Sequence, residues 1–185
     1  MSLVKFICNE RIYLREVRKS DVNERYYNWL NDPVINQYLE TRFLPRSIDN
    51  ILSYVNEMDA KADEPFFAIC LKDNDEHIGN IKLGPINWFH RRAAISLLIG
   101  EKKYWGKGYA TDAISLVTKF GFETLNLNKL SAGCYSNNIG SARAFEKCGY
   151  VREGVIRSYA IVNNKELDCF LYGLRAEEFF AVEKD

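Results

Sequence analysis

The sequence predicts an α/β (α+β) chain: a mostly antiparallel mixed sheet with one parallel strand pair and helices on both faces. Three observations carry this. Strand-like segments outnumber helical ones, and most successive strands are joined by short turns, the connection antiparallel neighbours use. One pair is different, because the apolar run Ala93–Ile99 is followed by an amphipathic helix before the next strand, and a helical crossover implies parallel neighbours. At 185 residues, with no repeats, low-complexity segments or Gly/Ser linkers, the whole chain 1–185 reads as one domain.

The elements follow in order. Glu10–Glu16 alternates Ile12 and Leu14 against Tyr13 and Arg15, a half-buried strand. Asp21 is the expected N-cap of a helix through Trp29, stopped by Asn31-Asp32-Pro33, with a short helical piece over Val34–Leu39 and a loop over Glu40–Pro45. Ser47 caps a helix whose Ile48, Ile51, Leu52 and Val55 form an apolar stripe. Phe66–Leu71 is a strand, Asp73–Glu76 its turn, and His77–Trp88 a long strand bent near Gly84-Pro85, since proline donates nothing to a ladder. A hairpin at Phe89-His90-Arg91 returns into Ala93–Ile99. After the helix from Tyr109 to Thr124 come a strand over Lys129–Tyr135 and a helix opened by Asn137–Ser141 and closed by Lys147 and Gly149. Tyr150–Val162 and Glu166–Leu174 form a hairpin over Asn163-Asn164-Lys165, and Ala176–Val182 is a closing helix.

The chemistry concentrates where Ala93–Ile99 gives way to the helix, through Gly100-Glu101-Lys102-Lys103-Tyr104-Trp105-Gly106-Lys107-Gly108. A strand that ends in glycines and restarts as a helix leaves outward N–H groups at the positive end of a helix dipole, a site for phosphate oxygens. Without Cβ atoms, Gly106 and Gly108 let an anion approach the backbone. Two phosphate motifs fail on spacing. A P-loop counted from Gly100 meets Trp105 where it needs glycine, and a dinucleotide fingerprint counted from Gly106 meets Thr111 where it needs a small residue.

Lys103-Tyr104-Trp105-Gly106-Lys107-Gly108 resembles the acyl-CoA turn of the GNAT acetyltransferases, Gln/Arg-x-x-Gly-x-Gly/Ala, and the wider string through Ala113 is similar to the branch containing the ribosomal-protein N-acetyltransferases. Lysine at the first position attracts phosphate as a point charge but lacks the fork of arginine. The resemblance spans about Arg11 to Leu174, densest over Glu101–Gly154. It implies a GNAT fold with acetyl-CoA as cosubstrate, bound by Lys103, Tyr104, Trp105, Gly106, Lys107, Gly108, Tyr109, Ala110 and Thr111. It further implies that the parallel pair splays, that the pantetheine arm pairs with backbone at Leu97, Leu98 and Ile99, and that the Leu98 or Ile99 N–H stabilises the oxyanion.

A second segment, Asn138-x-x-Ser141-x-x-x-Phe145-Glu146-Lys147-Cys148-Gly149-Tyr150, resembles the family's Asn-x-x-Ser and Tyr/Phe-Glu-Lys-x-Gly region. Asn138 can cap the helix, bond the pantetheine amide, or both. The resemblance places Asn138, Ser141 and Phe145 against the cofactor, but where many relatives carry a thiolate-protonating tyrosine this chain has Phe145, which cannot donate, so Ser141 or water remains for that proton. The position of a frequent glutamate base is occupied by Ala93-Ala94-Ile95. Asp168, in an otherwise apolar strand where aspartate is uncommon, is the expected catalytic carboxylate if it faces the cleft and a solvated or ion-paired residue if it does not. His77 and His90 flank turns and read as surface residues. Tyr38, Glu40, Arg42, Asn80, Trp88 and Tyr159 are the candidate acceptor contacts, with Arg42 suited to a carboxylate or phosphate of the acceptor.

Composition narrows the partners. Twenty-five Lys+Arg balance 25 Asp+Glu, which speaks against a nucleic-acid surface. The five cysteines have no C-x-x-C spacing and there are two histidines, so no metal is expected and the thiols read as reduced in a cytoplasmic protein. No signal pattern or apolar run near twenty residues points to a membrane. The reading is an N-acetyltransferase moving acetyl directly to a primary amine of a protein N-terminus, an amino-sugar nucleotide or another small molecule. Exposed strands near the C-terminus leave room for a homodimer. The alternative is an acyl-CoA-binding sensor that has lost catalysis, which Ala94 and Phe145 motivate.

Overall fold

The computed structural model describes residues 5–162 and 164–182. Its strands are β1 (Ile7–Cys8), β2 (Ile12–Glu16), β3 (Phe66–Leu71), β4 (His77–Leu83), β5 (Arg92–Ile99), β6 (Lys129–Tyr135), β7 (Val151–Val162) and β8 (Lys165–Arg175). They form an eight-stranded sheet in the order β1-β2-β3-β4-β5-β6-β8-β7. Neighbours are antiparallel except β5 and β6, the pair separated by the helical crossover.

Helices cover both faces: α1 (Glu24–Asn31), α2 (Ile48–Ala60), α3 (Tyr109–Lys119), α4 (Ile139–Lys147) and the short α5 (Ala176–Val182). Ile12, Leu14, Ile69 and Ile81 pack with Ala113, Ile114 and Val117 of α3 and Ala142 and Phe145 of α4. Tyr13, Ala68 and Cys70 point the other way, onto Tyr26 and Trp29 of α1 and Ile51 and Val55 of α2. β2 is therefore buried on both faces, more than the half-buried strand its alternation predicts. Each fully buried aliphatic side chain here contributes about 1.5–3 kcal/mol, which anchors the sheet against both helix layers.

Several boundaries differ from the sequence expectation. Asn23, not Asp21, caps α1, its side chain accepting the Arg25 and Tyr26 N–H groups. Asp21 is instead buried in a bidentate pair with Arg15, both bonds 2.7 Å. Val34–Leu39 is a run of turns rather than a helix, because the Asp32 carboxylate accepts the Val34 N–H and the Asn36 amide donates to the Leu30 carbonyl, local bonds that compete with helix. β4 stops at Leu83, and past Pro85 only an Asn87–Arg92 bridge continues toward β5. α3 passes into a π-helical turn over Phe120–Thr124. The β7–β8 hairpin turn includes Asn163, which lies outside the described residues. Among the described residues, no helix is long and apolar enough to cross a membrane.

Candidate active site

β5 and β6 pair only through Arg92–Ala94 opposite Lys129–Ser131, closed by the Ser131 hydroxyl donating to the Ala93 carbonyl at 3.3 Å. Past that point β5 stays with β4 as far as Ile99, while β6 stays with β8 as far as Tyr135, so the two strands part. The alternation of antiparallel bonding decides which backbone groups face the opening. Gly84 N–H donates to the Ala94 carbonyl and Gly100 N–H to the Ile78 carbonyl, so even-numbered positions of β5 bond to β4. Leu98 is thus engaged with β4, opposite Asn80, whereas Leu97 and Ile99 turn their backbone groups to the gap. The Leu98 backbone is therefore not free in the gap, whereas that of Ile99 faces it. The Ile99 carbonyl already accepts the Trp105 indole N–H at 2.8 Å.

At the end of β5 the turn has the backbone its glycines allow. Gly106 has φ +70° and Gly108 φ +87°, left-handed values that favour residues without Cβ. A Cβ on Gly106 would meet nothing within 4 Å, so that side of the turn is open. Gly108 is the N-cap of α3 and supplies no side chain, leaving the first N–H groups of the helix unpaired by a cap.

Around it, the flanking side chains are committed to protein partners. The Tyr104 hydroxyl donates to Glu76 at 2.6 Å, and the Lys103 ammonium reaches the same carboxylate at 2.9 Å, so the lysine expected to attract phosphate is held by Glu76. Those bonds raise Lys103, and with Arg25 nearby they hold Glu76 below the usual range despite partial burial. Lys107 is exposed, Ala110 packs on the core, and the Thr111 carbonyl accepts the Cys148 thiol at 3.4 Å. Sequence reasoning missed Arg11. From the start of β2 its guanidinium lies 4.8 Å from the Tyr109 ring and bonds Lys107 and Asp112.

Beside the opening, Asn138 caps α4 by accepting the Ser141 N–H at 3.2 Å, a bond worth about 1 kcal/mol. Ser141 is half-buried and its hydroxyl lies against the Cys134 thiol, in the part of β6 that has left β5. Burial and the neighbouring Cys169 push Cys134 up to about 11, with Ser141 opposing. Phe145, expected at the cofactor, is 1% exposed, stacked on Tyr172 at 6.3 Å and edge-on to Tyr150 at 5.2 Å. As the chain stands, its ring is core.

Four of the six acceptor candidates gather at the open end. The Tyr135 hydroxyl, at the last residue of β6, donates to Glu40 and accepts from Arg42 at 3.0 Å. Burial first, and then that bond to Glu40, raises the Tyr135 hydroxyl above its ordinary value. Arg42 lies 4.1 Å from the Phe43 ring centre and 5.2 Å from that of Tyr135, and its Nη2 is buried with no hydrogen-bond partner. Tyr38 donates to the Asn137 carbonyl at 3.4 Å, and Tyr159 packs 6.3 Å from Tyr135. Tyr135 itself was not anticipated.

Asn80 and Trp88 lie elsewhere. Asn80 is buried against His77, 2.9 Å from its Nε2, on the α1–α2 face. The His77 side chain is only 11% exposed, covered rather than a surface residue, and desolvation lowers its pKa. Trp88 sits beside the start of β5, the closed end of the splay; the strand's 8 residues put roughly 25 Å between it and the turn. Asp168 is engaged within the β7–β8 hairpin. Its carboxylate accepts the Ser158 N–H at 3.0 Å, where β7 slips register with Ser158 at φ +51°. Its charge supports a bulge in the hairpin.

Among the described residues no group of three or more His, Cys, Asp or Glu is arranged to hold a metal. The geometry is a splayed strand pair, an anion-ready turn at one lip and a polar aromatic cluster at the other. The chain as a whole is similar to known proteins. The chain is 27% identical to an uncharacterized N-acetyltransferase p20 of Bacillus licheniformis, over 94% of this chain and 97% of that one. It is 28% identical to spermidine N(1)-acetyltransferase of Escherichia coli K12, over 98% and 90%. Spermidine N-acetyltransferase of Vibrio cholerae, solved with CoA and spermine, superposes with a TM-score of 0.83 at 24% identity, over 93% of this chain and 99% of that one, a likeness of fold. The family model described as an acetyltransferase (GNAT) domain matches residues 11–151, and the chain belongs to that family.

Proposed function

We propose that this N-acetyltransferase moves acetyl from acetyl-CoA directly to a primary amine that enters at the Glu40–Tyr135–Arg42 end of the splay and carries an acidic group of its own. The observation behind the acceptor class is the buried, unpartnered Nη2 of Arg42, a guanidinium donor beside Tyr135 that no protein acceptor satisfies and that a carboxylate or phosphate oxygen would suit. Glu40 supplies the counter-charge for the ammonium form of the amine. Under this reading the pyrophosphate lies on the Gly106–Gly108 turn and the pantetheine pairs with Leu97 and Ile99. The deprotonated amine attacks the thioester carbon, and the Ile99 N–H supports the tetrahedral oxyanion. Collapse breaks the C–S bond, and Ser141 gives its proton to the departing thiolate. No side chain is assigned as base; water takes the amine's proton and returns one to the Ser141 oxygen, so the hydroxyl is restored.

The spermidine relative motivates a second reading, a polyamine acceptor held by Glu40. Free-thiol release distinguishes the two, using acceptor pairs that differ only in an acidic group, such as a dipeptide and its C-terminal amide, with spermidine alongside. A lower KM for the acidic member supports the first reading. Turnover of spermidine with no preference within the pair overturns it.

A further inference from the structure

Lys103 is the expected phosphate-attracting cation, and it is paired with Glu76. The guanidinium that stands at the glycine turn is that of Arg11, about a hundred residues earlier in the chain. Its Nη1 donates to the Lys107 carbonyl at 2.9 Å, and Nε and Nη2 donate to one oxygen of Asp112 at 2.9 and 2.5 Å. Nη2 also lies 3.0 Å from where a Cβ on Gly108 would stand.

Each contact has a consequence for an incoming diphosphate. In a trans peptide the carbonyl of one residue and the N–H of the next point in opposite directions. Drawing the Lys107 carbonyl to Arg11 therefore turns the Gly108 N–H away from Arg11, outward from the turn. Asp112 lies in the first turn of α3, where its carboxylate takes up the favourable end of the helix dipole and repels a second anion. Its side chain is 20% exposed, so solvent screens it only in part. The Arg11 fork neutralises it.

We infer that Arg11 is the positioning residue of the CoA phosphate turn, acting through the Lys107 carbonyl and by cancelling the charge of Asp112. This rests on the reading that the turn binds CoA. The charged and polar groups facing the guanidinium are Asp112, the Lys107 carbonyl and the Tyr109 ring; Lys107's own ammonium points to the Tyr104 ring, 5.9 Å from its centre.

The test is calorimetric CoA binding in a double-mutant cycle, with steady-state kinetics and melting curves on the same proteins. Arg11→Gln should weaken CoA binding about tenfold and raise the acetyl-CoA KM in step, with kcat kept. In an Asp112→Asn background the same substitution should cost less than about threefold, because the charge Arg11 cancels is gone. Arg11→Lys, which keeps charge but loses the fork, should fall between and serves if Arg11→Gln melts out. An equal cost in both backgrounds, or no cost in either, overturns the inference while the unsubstituted chain still binds CoA. Failure of the unsubstituted chain to bind CoA overturns the reading beneath it as well.

Discussion

The two lips of the splay are built in opposite ways. The glycine turn is made almost wholly from one contiguous stretch, Ile99 to Asp112, with Arg11 and Glu76 added from outside. The opposite lip, proposed as the acceptor mouth, comes from three separated segments, with Glu40 and Arg42 meeting Tyr135 and Tyr159 only after β6 and the β7–β8 hairpin are in place. A site whose requirement is a backbone conformation can be written into neighbouring residues. A site whose requirement is a charge pattern in space depends on register between distant strands.

Ser141 stands between the lips, and its removal gives the largest expected effect. If it donates the thiolate's proton, Ser141→Ala should lower kcat about a hundredfold, the general-acid range, and leave CoA affinity nearly intact. Stopped thiol-release assays at saturating acceptor read this directly. A loss below about threefold would give the proton to water and make Ser141 part of the α4 scaffold beside Cys134.

Next comes the turn itself. Gly108→Val forces a β-branched residue to φ +87°, with its Cβ 3.0 Å from the Arg11 Nη2. Strain of about 2 kcal/mol at such a position, taken from the bound turn, is roughly thirtyfold in affinity. Calorimetry should show that loss for CoA while the acceptor KM stays within about twofold. Unchanged CoA affinity would erase the contrast between the lips, since the local motif would then not carry binding.

What could be read in advance follows the same division. Gly106, Gly108 and the Asn138 cap were legible because each is a local backbone demand met by neighbouring residues, whereas the splay was expected only from the family resemblance. Asp21 as a helix cap was a fair inference from residue type, but Asn23 offers the same chemistry two residues on, and a buried Arg15 claims Asp21. The helical piece at 34–39 failed because Asp32 and Asn36 bond locally to backbone. Tyr135 left no signal, since a tyrosine ending an apolar strand looks like core, and only pairing with Glu40 and Arg42 sets it apart. Asp168 drew attention as a charge in an apolar strand; the register slip it supports is invisible before β7 and β8 are aligned.

Tyr135→Phe tests the mouth from its own side. It removes the hydroxyl that joins Glu40 to Arg42 while keeping the ring that both Arg42 and Tyr159 pack on. Two hydrogen bonds to charged groups are lost, and even one is worth about 1.5 kcal/mol, so the acceptor KM should rise at least about tenfold. CoA affinity should not move, which makes it the mirror image of Gly108→Val. A rise in acetyl-CoA KM instead would mean that the two lips are coupled through β6.

Glu76→Gln carries the smallest effect and asks whether the turn's flanking ion pairs serve stability or binding. Glu76 bonds Tyr104, Lys103 and Arg25, but Lys103 is largely in solvent, so the cluster adds little to stability. Its carboxylate is held below the ordinary glutamate range in the folded protein. A depressed folded value means that the stabilisation is fully present above the unfolded pKa, about 4.3, and is lost as pH falls through the folded one. Glu76→Gln should therefore lower the melting temperature by a few degrees at pH 7, and the gap to the parent should close in acid below the glutamate range. A gap that stays constant down to that pH would assign the loss to the Tyr104 hydrogen bond rather than to charge. The same variant frees Lys103, and a tighter CoA affinity alongside the lower melting temperature would show that the turn holds a phosphate-seeking cation in reserve.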